Sequence, residues 1–229
     1  MSDVCHSCGG YGKEGGCPRC GATPRERVMS ATIHNDVPVD LVPQTYHGKL
    51  WTKPEVTKDT PVKFKEFDAN LEKVLNVFLS GQIPKFSMFI ASPPKSDKHL
   101  FAYSCIQTSL VQGYSIAPLL SSSDWRRLYK ISQMNPFYKL YGKYTWDNTI
   151  SSDVMFMYID HSDDRFDVVG LLKDILDTRA MFGRPTFIIS DYKLTELVPH
   201  WGDKSYSSIH NTSPNRDYNR YPVVIQRFE

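Results

Sequence analysis

Residues 88–119 read MFIASPPKSDKHLFAYSCIQTSLVQGYSIAPL, and this stretch decides the fold. It begins inside a short apolar run, FSMFIA (86–91), of strand length and continuous enough to be buried on both faces. SPPKSD follows, then KHLFAYSCIQTSLVQG, a helix-length segment closed by glycine, then a second apolar run, YSIAPLL (114–120). Strand, turn, helix, strand is the repeating unit of a parallel sheet, because parallel neighbours need a crossover. Upstream, DANLEKVLNVFLSG (68–81) places Leu71, Val74, Leu75, Phe78 and Leu79 on one helical face, ended by Gly81. Downstream, DVMFMYID (153–160), FDVVGLLKDILDTRAMFG (166–183), PTFIISD (185–191) and YPVVIQ (221–226) read as strand, helix, strand and strand. The expected architecture is α/β: a parallel sheet flanked by helices, of the nucleotide-binding kind.

The turn after the first strand sits where a phosphate-binding loop belongs. A working loop, GxxxxGK[ST], wraps phosphate oxygens in backbone amides, reaches them with lysine and holds magnesium through a hydroxyl. Aligned on the strand end, Ser92 stands at the first glycine, Asp97 at the second, Lys98 at the lysine and His99 at the hydroxyl position. Pro93 and Pro94 remove two amide donors. Asp97 sets a carboxylate where polyphosphate would lie, unless Lys95 or Lys98 neutralises it. Imidazole is a poor magnesium ligand beside a hard oxygen. The strand VMFMYID ends in Asp160, the place of a metal-holding aspartate, and His161 follows as the one candidate base. Lys98 and Asp160 fall at the ends of two strands expected to be neighbours. The residues predict feeble or lost hydrolysis.

Four of the five cysteines lie in CHSCGGYGKEGGCPRCG: Cys5, Cys8, Cys17 and Cys20, two CxxC knuckles eight residues apart. Four thiolates in this spacing suit a tetrahedral structural zinc, and no position stays open for catalysis. The glycines supply tight turns, and His6 inside the first knuckle reads as a bystander. A segment this short has no core, so metal binding would supply its folding energy. The fifth cysteine, Cys105, reads as a buried core thiol. Net charge is only +2 and no run of about 18 apolar residues occurs, so neither nucleic acid nor membrane is demanded by the whole chain. A soluble, cytoplasmic location is the expectation. The chain then divides into a ribbon (1–28), a proline-scattered connector (29–60) and an α/β core (61–229).

In this order the motifs resemble the bacterial and phage replicative-helicase loaders of the DnaC/DnaI type, which are AAA+ proteins. MFIASPPKSDKHLFAYSCIQTSLVQGYSIAPL is similar to the family's strand, P-loop, helix and strand with the glycines gone. VMFMYIDHS resembles Walker B with its glutamate replaced. ILDTRAMFGRPTFIISDYKLTEL (175–197) resembles the family's helix, arginine turn and sensor strand, with Asp191 in place of asparagine after Ser190. The cysteine module is similar to the DnaI arrangement. The resemblance covers roughly residues 60–200 plus the ribbon, and the span after the sensor is too short for a helical lid domain. It implies a nucleotide site of Lys95, Lys98, His99, Asp160, Ser190 and Asp191, with catalysis by Asp160 and His161 and with ATP and magnesium as cofactors. Arg216 and Arg220 are arginine-finger candidates by position. It further implies loading a hexameric replicative helicase onto single-stranded DNA, self-assembly, and, for a phage-encoded chain, the host bacterial cytoplasm.

Between the second strand and Asp160 lies WRRLYKISQMNPFYKLYGKYTW (125–146), with Arg126, Arg127, Lys130, Lys139 and Lys143, a local +5 with no acid. Seven of its 22 residues are aromatic where the chain average of 13% gives about three. Cations that track phosphates beside rings that stack on bases make a single-strand binding surface, with Trp125, Arg126, Arg127, Lys130 and Lys139 the favoured contacts. In the family this region carries an extra helical element lining DNA. Against this stands plain packing, with Tyr129, Phe137, Tyr138 and Tyr141 pinning a helical hairpin to the core. Three roles remain open: a loader or loader-like accessory, a divergent DNA-dependent ATPase, and a catalytically dead interaction protein acting on a host initiator or loader.

Overall fold

The computed structural model describes residues 21–34, 37–94, 96–140, 142–159, 167–201 and 223–228. Cys5, Cys8, Cys17, Cys20, Lys95, Asp160, His161, Arg216 and Arg220 lie outside the described residues. The chain forms two compact units: the part through Pro84 with Asp97–Ile116, and Lys85–Ser96 with Ala117 onward.

Among the described residues the first unit holds three α-helices, α1 (Pro24–His34), α2 (Val62–Leu79) and α3 (Lys98–Val111), and a 3-10 turn at Gln44–Tyr46. α1 was not foreseen, and it crosses the 28/29 boundary drawn between ribbon and connector. Its start has a legible signal, TPRE. Thr23 Oγ1 accepts from the Glu26 amide at 3.2 Å, Glu26 Oε2 accepts from the Thr23 amide at 2.8 Å, and Pro24 fills the first helical position. α2 begins six residues earlier than its apolar period suggests, because Pro61 presets the entry. It buries Phe67, Leu71, Val74, Leu75 and Phe78 and ends before Gly81, whose φ of +85° is a left-handed turn. α3 is buried nearly all round, and its polar residues hold the preceding segment. Ser104 Oγ accepts from the Trp51 amide at 2.7 Å, and Gln107 pairs with the Gly48 amide and the Lys49 carbonyl. Trp51 is itself buried, edge-on to Phe101. Residues 37–51 are thus a packed strap, held by buried Val37, Val42, Leu50 and Trp51, although they show no period in the sequence. Cys105 is fully buried, and burial pushes its thiol up.

The second unit contains the sheet: β1 (Met88–Ala91), β2 (Leu120–Ser121), β3 (Phe156–Ile159), β4 (Phe187–Ser190) and β5 (Val223–Gln226). All described pairings are parallel, in the order β2-β3-β4-β1-β5. β4 therefore separates β1 from β3, which corrects the expectation that those two strands are neighbours. β2 is only two residues long; Pro118 has no amide for a ladder, so YSIAPLL stays extended until Leu120. The helices of this unit are α4 (Ser122–Met134), α5 (Trp146–Ile150), α6 (Asp167–Met181) and α7 (Leu194–Trp201). Strand residues alternate between faces. Phe89, Ala91, Met157, Ile159 and Ile188 form one core with Trp125 and Leu128 of α4, Leu172 and Ile175 of α6, and Leu194 and Leu197 of α7. The opposite set, Met88, Ile90, Phe156, Phe187 and Ile189, is buried too, with Phe156 and Phe187 stacked at 4.8 Å.

Candidate functional site

In an open parallel sheet, ligands bind beyond the carboxyl ends of the strands, where successive connections diverge. Here the chain leaves β1 toward β2 on one side and leaves β4 toward β5 on the other. The last residues align in one row, Gln226, Ala91, Ser190 and Ile159. Hydrogen bonding continues one residue further: the Ser92 amide donates to the Ser190 carbonyl at 3.2 Å and the Asp191 amide to the Ile159 carbonyl at 3.2 Å. With strands about 4.8 Å apart, the turns after β1 and β3 are separated by about 10 Å across the end of β4.

The loop after β1 is folded onto itself. The Ser96 amide donates to the Pro93 carbonyl at 3.3 Å, and the Ser92 and Ser96 hydroxyls bond at 2.6 Å. The accounting of amides is therefore complete at four described positions: Ser92 and Ser96 have spent theirs, and Pro93 and Pro94 have none. The described positions from Ser92 to Ser96 therefore offer no amide to a phosphate, which makes that stretch a poor fit for a nucleotide's polyphosphate. Asp97 precedes α3 without capping it through its side chain, Lys98 opens α3 with its side chain buried, and His99 is half-buried.

At the end of β4, Ser190 Oγ accepts from the Tyr192 amide at 3.0 Å, and buried Asp191 accepts from the Tyr158 hydroxyl at 2.7 Å. Tyr158 pairs in register with Ile189, so Asp191, two residues on, shares its face. An asparagine in this place can donate an amide proton to a phosphate oxygen; an ionised aspartate only accepts and repels it. Among the described residues, no group of three or more His, Cys, Asp or Glu side chains could hold a metal ion.

The basic stretch is a helix and a return loop. Ser121 caps α4 by accepting from the Asp124 amide at 3.2 Å. Trp125 is fully buried, edge-on to Trp146, so it has no face for an unpaired base. That overturns its place among the DNA contacts: at the first turn of α4 it points inward with Ser122 and Leu128. Arg127 and Lys130 lie on the exposed face, Lys139 is exposed in the loop and Arg126 is half-buried. Tyr129 and Tyr138 pack on the core, whereas Phe137 is 85% exposed and Met134 81%. Phe137, which the packing alternative placed against the core, is instead the exposed ring; Asn135-Pro136 just before it is the signal that the helix has ended and the ring sits in a turn.

No family model and no curated protein matches the chain. Solved structures do. The DnaC helicase loader aligns at a TM-score of 0.52 with 13% identity, covering 80% of this chain and 98% of that one. A putative primosome component from Streptococcus pyogenes serotype M3 aligns at 0.51 with 16% identity, covering 82% and 90%. AMPPCP-bound DnaA from Aquifex aeolicus aligns at 0.46 with 12% identity, and this chain spans about half of it, 48%. The likeness is one of fold: the chain's fold is similar to that of the DnaC helicase loader structure. No helix among the described residues is long and apolar enough to cross a membrane.

Proposed function

We propose that this chain is a helicase-loader-type accessory of DNA replication that works without hydrolysing ATP. It docks on a hexameric replicative helicase and presents Arg127, Lys130 and Lys139, with Phe137, to single-stranded DNA. The observation that carries the reading is the pairing of a fold similar to that of the DnaC structure, matched along nearly its whole length, with a β1 loop in which Ser92 and Ser96 have spent their amides and Pro93 and Pro94 have none. Cys5, Cys8, Cys17 and Cys20 would hold a structural zinc, which suits a docking module because four thiolates leave the metal no open position. Scaffolding and DNA contact need no turnover, and fold alone assigns none.

The test is co-elution of the full chain with the replicative helicase of its own genome, and helicase loading on circular single-stranded DNA with and without ATP. Association and loading that ignore ATP are expected. Neither co-elution nor stimulation would refute the reading; ATP turnover abolished by Lys98→Ala would make the protein an enzyme instead. The same closed loop suits an interaction protein that targets a host initiator or loader. Recovery of that host protein in place of the helicase would select it.

A further inference from the structure

We infer that Arg27, in the first unit, is an oxyanion receptor whose ligand comes from outside the chain. Two buried arginines make the contrast. Arg179 is fully buried in the second unit and every guanidinium nitrogen has an acceptor: Nε to Thr186 Oγ1 at 3.0 Å, Nη1 to the Ile150 and Ser152 carbonyls at 2.8 Å, Nη2 to the Pro185 carbonyl at 2.7 Å. Arg27 is 7% exposed, and only its Nε is engaged, by a long 3.4 Å bond to the Thr23 carbonyl. Nη1 and Nη2 are buried and have no hydrogen-bond partner among the described residues.

The acids at this end of α1 are already committed. Glu26 is held by the amide and hydroxyl of Thr23, both at 2.8 Å, and Glu72 pairs with Lys53 at 3.3 Å. Arg25, two residues earlier, spends Nη2 on the Trp51 carbonyl at 2.7 Å, and burial lowers its guanidinium while Glu72 opposes the shift. The region thus holds two partly or fully desolvated guanidinium groups and no uncommitted carboxylate that the described contacts reveal. A buried charge keeps its place when it is paired and hydrogen-bonded. The two Nη groups of one guanidinium form a planar fork that matches two oxygens of a carboxylate or a phosphate. Both Nη atoms are themselves sealed, so only a small oxyanion, or the carboxylate tip of an inserted side chain, would fit against them.

Thermal unfolding of the full chain tests this, in sodium chloride, sodium phosphate and sodium acetate at matched ionic strength, with Arg27→Met and Arg27→Lys beside the wild type. Wild type should melt higher in phosphate or acetate than in chloride, by roughly 5 °C or more at about 100-fold above half-saturation. Response to phosphate alone assigns a phosphate ligand; response to acetate assigns a carboxylate. Arg27→Met should melt above wild type in chloride, since it removes an unpaired buried charge while keeping the volume, and should ignore the anion. Arg27→Lys should respond weakly, having charge without a fork. A wild type indifferent to both anions would overturn the inference. So would an Arg27→Met chain that fails to fold, melts lower in chloride, or keeps the anion response.

Discussion

Replacing Arg179 by alanine should be among the most destabilising single changes in the second unit. The guanidinium joins the last turn of α6 to the end of α5 and to the residues that launch β4, through the carbonyls of Ile150, Ser152 and Pro185 and the Thr186 hydroxyl. Longer contacts at 3.5 Å reach Ser152 Oγ and the Asp153 carbonyl. Truncation leaves three carbonyls without their donor, each costing about 1–3 kcal/mol if it stays dry. Water entry and relaxation recover part of this, so a net loss of about 3–5 kcal/mol is expected, a large share of the 5–15 kcal/mol typical of a folded domain. Arg179→Lys keeps the charge but not the fork and should lose about 2 kcal/mol. Burial pushes this guanidinium down to about 9 from 12.5, with Arg184 adding to the shift and Asp153 opposing it. A base with a lowered folded pKa leaves the unfolded chain holding more protons only above about pH 9, so stability gains from its deprotonation only there. Below that, both states are charged and Arg179 contributes no slope. Urea unfolding of the full chain at about pH 6, 7 and 8 reads all three statements. An Arg179→Ala loss under about 1 kcal/mol, a lysine variant equal to wild type, or a pH slope in this range that vanishes with Arg179 would refute the argument.

The DNA surface separates charge, stacking and packing. Removing Arg127, Lys130 and Lys139 together should reduce the dependence of log affinity on log salt by about 2 for single strands, measured by fluorescence anisotropy. Phe137→Ala should weaken binding by about 1–3 kcal/mol with stability unchanged, while Trp125→Phe should leave affinity intact and lower the melting temperature. Weaker DNA binding from Trp125→Phe but not from Phe137→Ala would sink the placement. Cys105, buried with its thiol pushed up, should escape iodoacetamide at about pH 8 in the native protein and react in urea, as mapped by peptide mass. Labelling of native Cys105 would contradict the packing of α3.

The sheet was legible because its signal is redundant. FSMFIA, VMFMYI, TFIIS and VVIQ are continuous apolar runs, and each became a strand within a residue or two of its apolar limits. Strand order was not legible, because adjacency is set by how far each crossover reaches, and no residue in MFIA or FMYI marks which partner it takes. The strap at residues 37–51 escaped notice for a related reason. Val42 and Trp51 are buried one by one against α3, without the regular spacing that a helix or strand would impose. Trp125 misled because composition counts an aromatic ring without its direction. The helical phase of α4 resolves it: Ser122, Trp125, Leu128 and Ser132 face inward, and Arg127 and Lys130 outward.

The substitutions at the carboxyl edge form a set. The end of a parallel strand leaves backbone and side-chain groups short of partners, and a nucleotide-binding protein leaves them for the ligand. Here the chain supplies its own. Ser92 and Ser96 close the loop through their hydroxyls, Pro93 accepts the Ser96 amide, and Tyr158 donates to Asp191. The Ser92 and Ser96 hydroxyls and one carboxylate oxygen of Asp191 are engaged without a phosphate, and that carboxylate is costly beside one. Asp191 with a bound polyphosphate is a like-charge contact, but with Tyr158 it is a hydrogen-bonded acceptor. Returning glycine at Ser92 or Asp97 alone would therefore not recreate a phosphate cradle. Pro93 and Pro94 would still lack amide protons, and the carboxylate of Asp191 would still face the ligand. An edge rebuilt in this coordinated way has a stable state of its own, as the scaffold role proposed above requires.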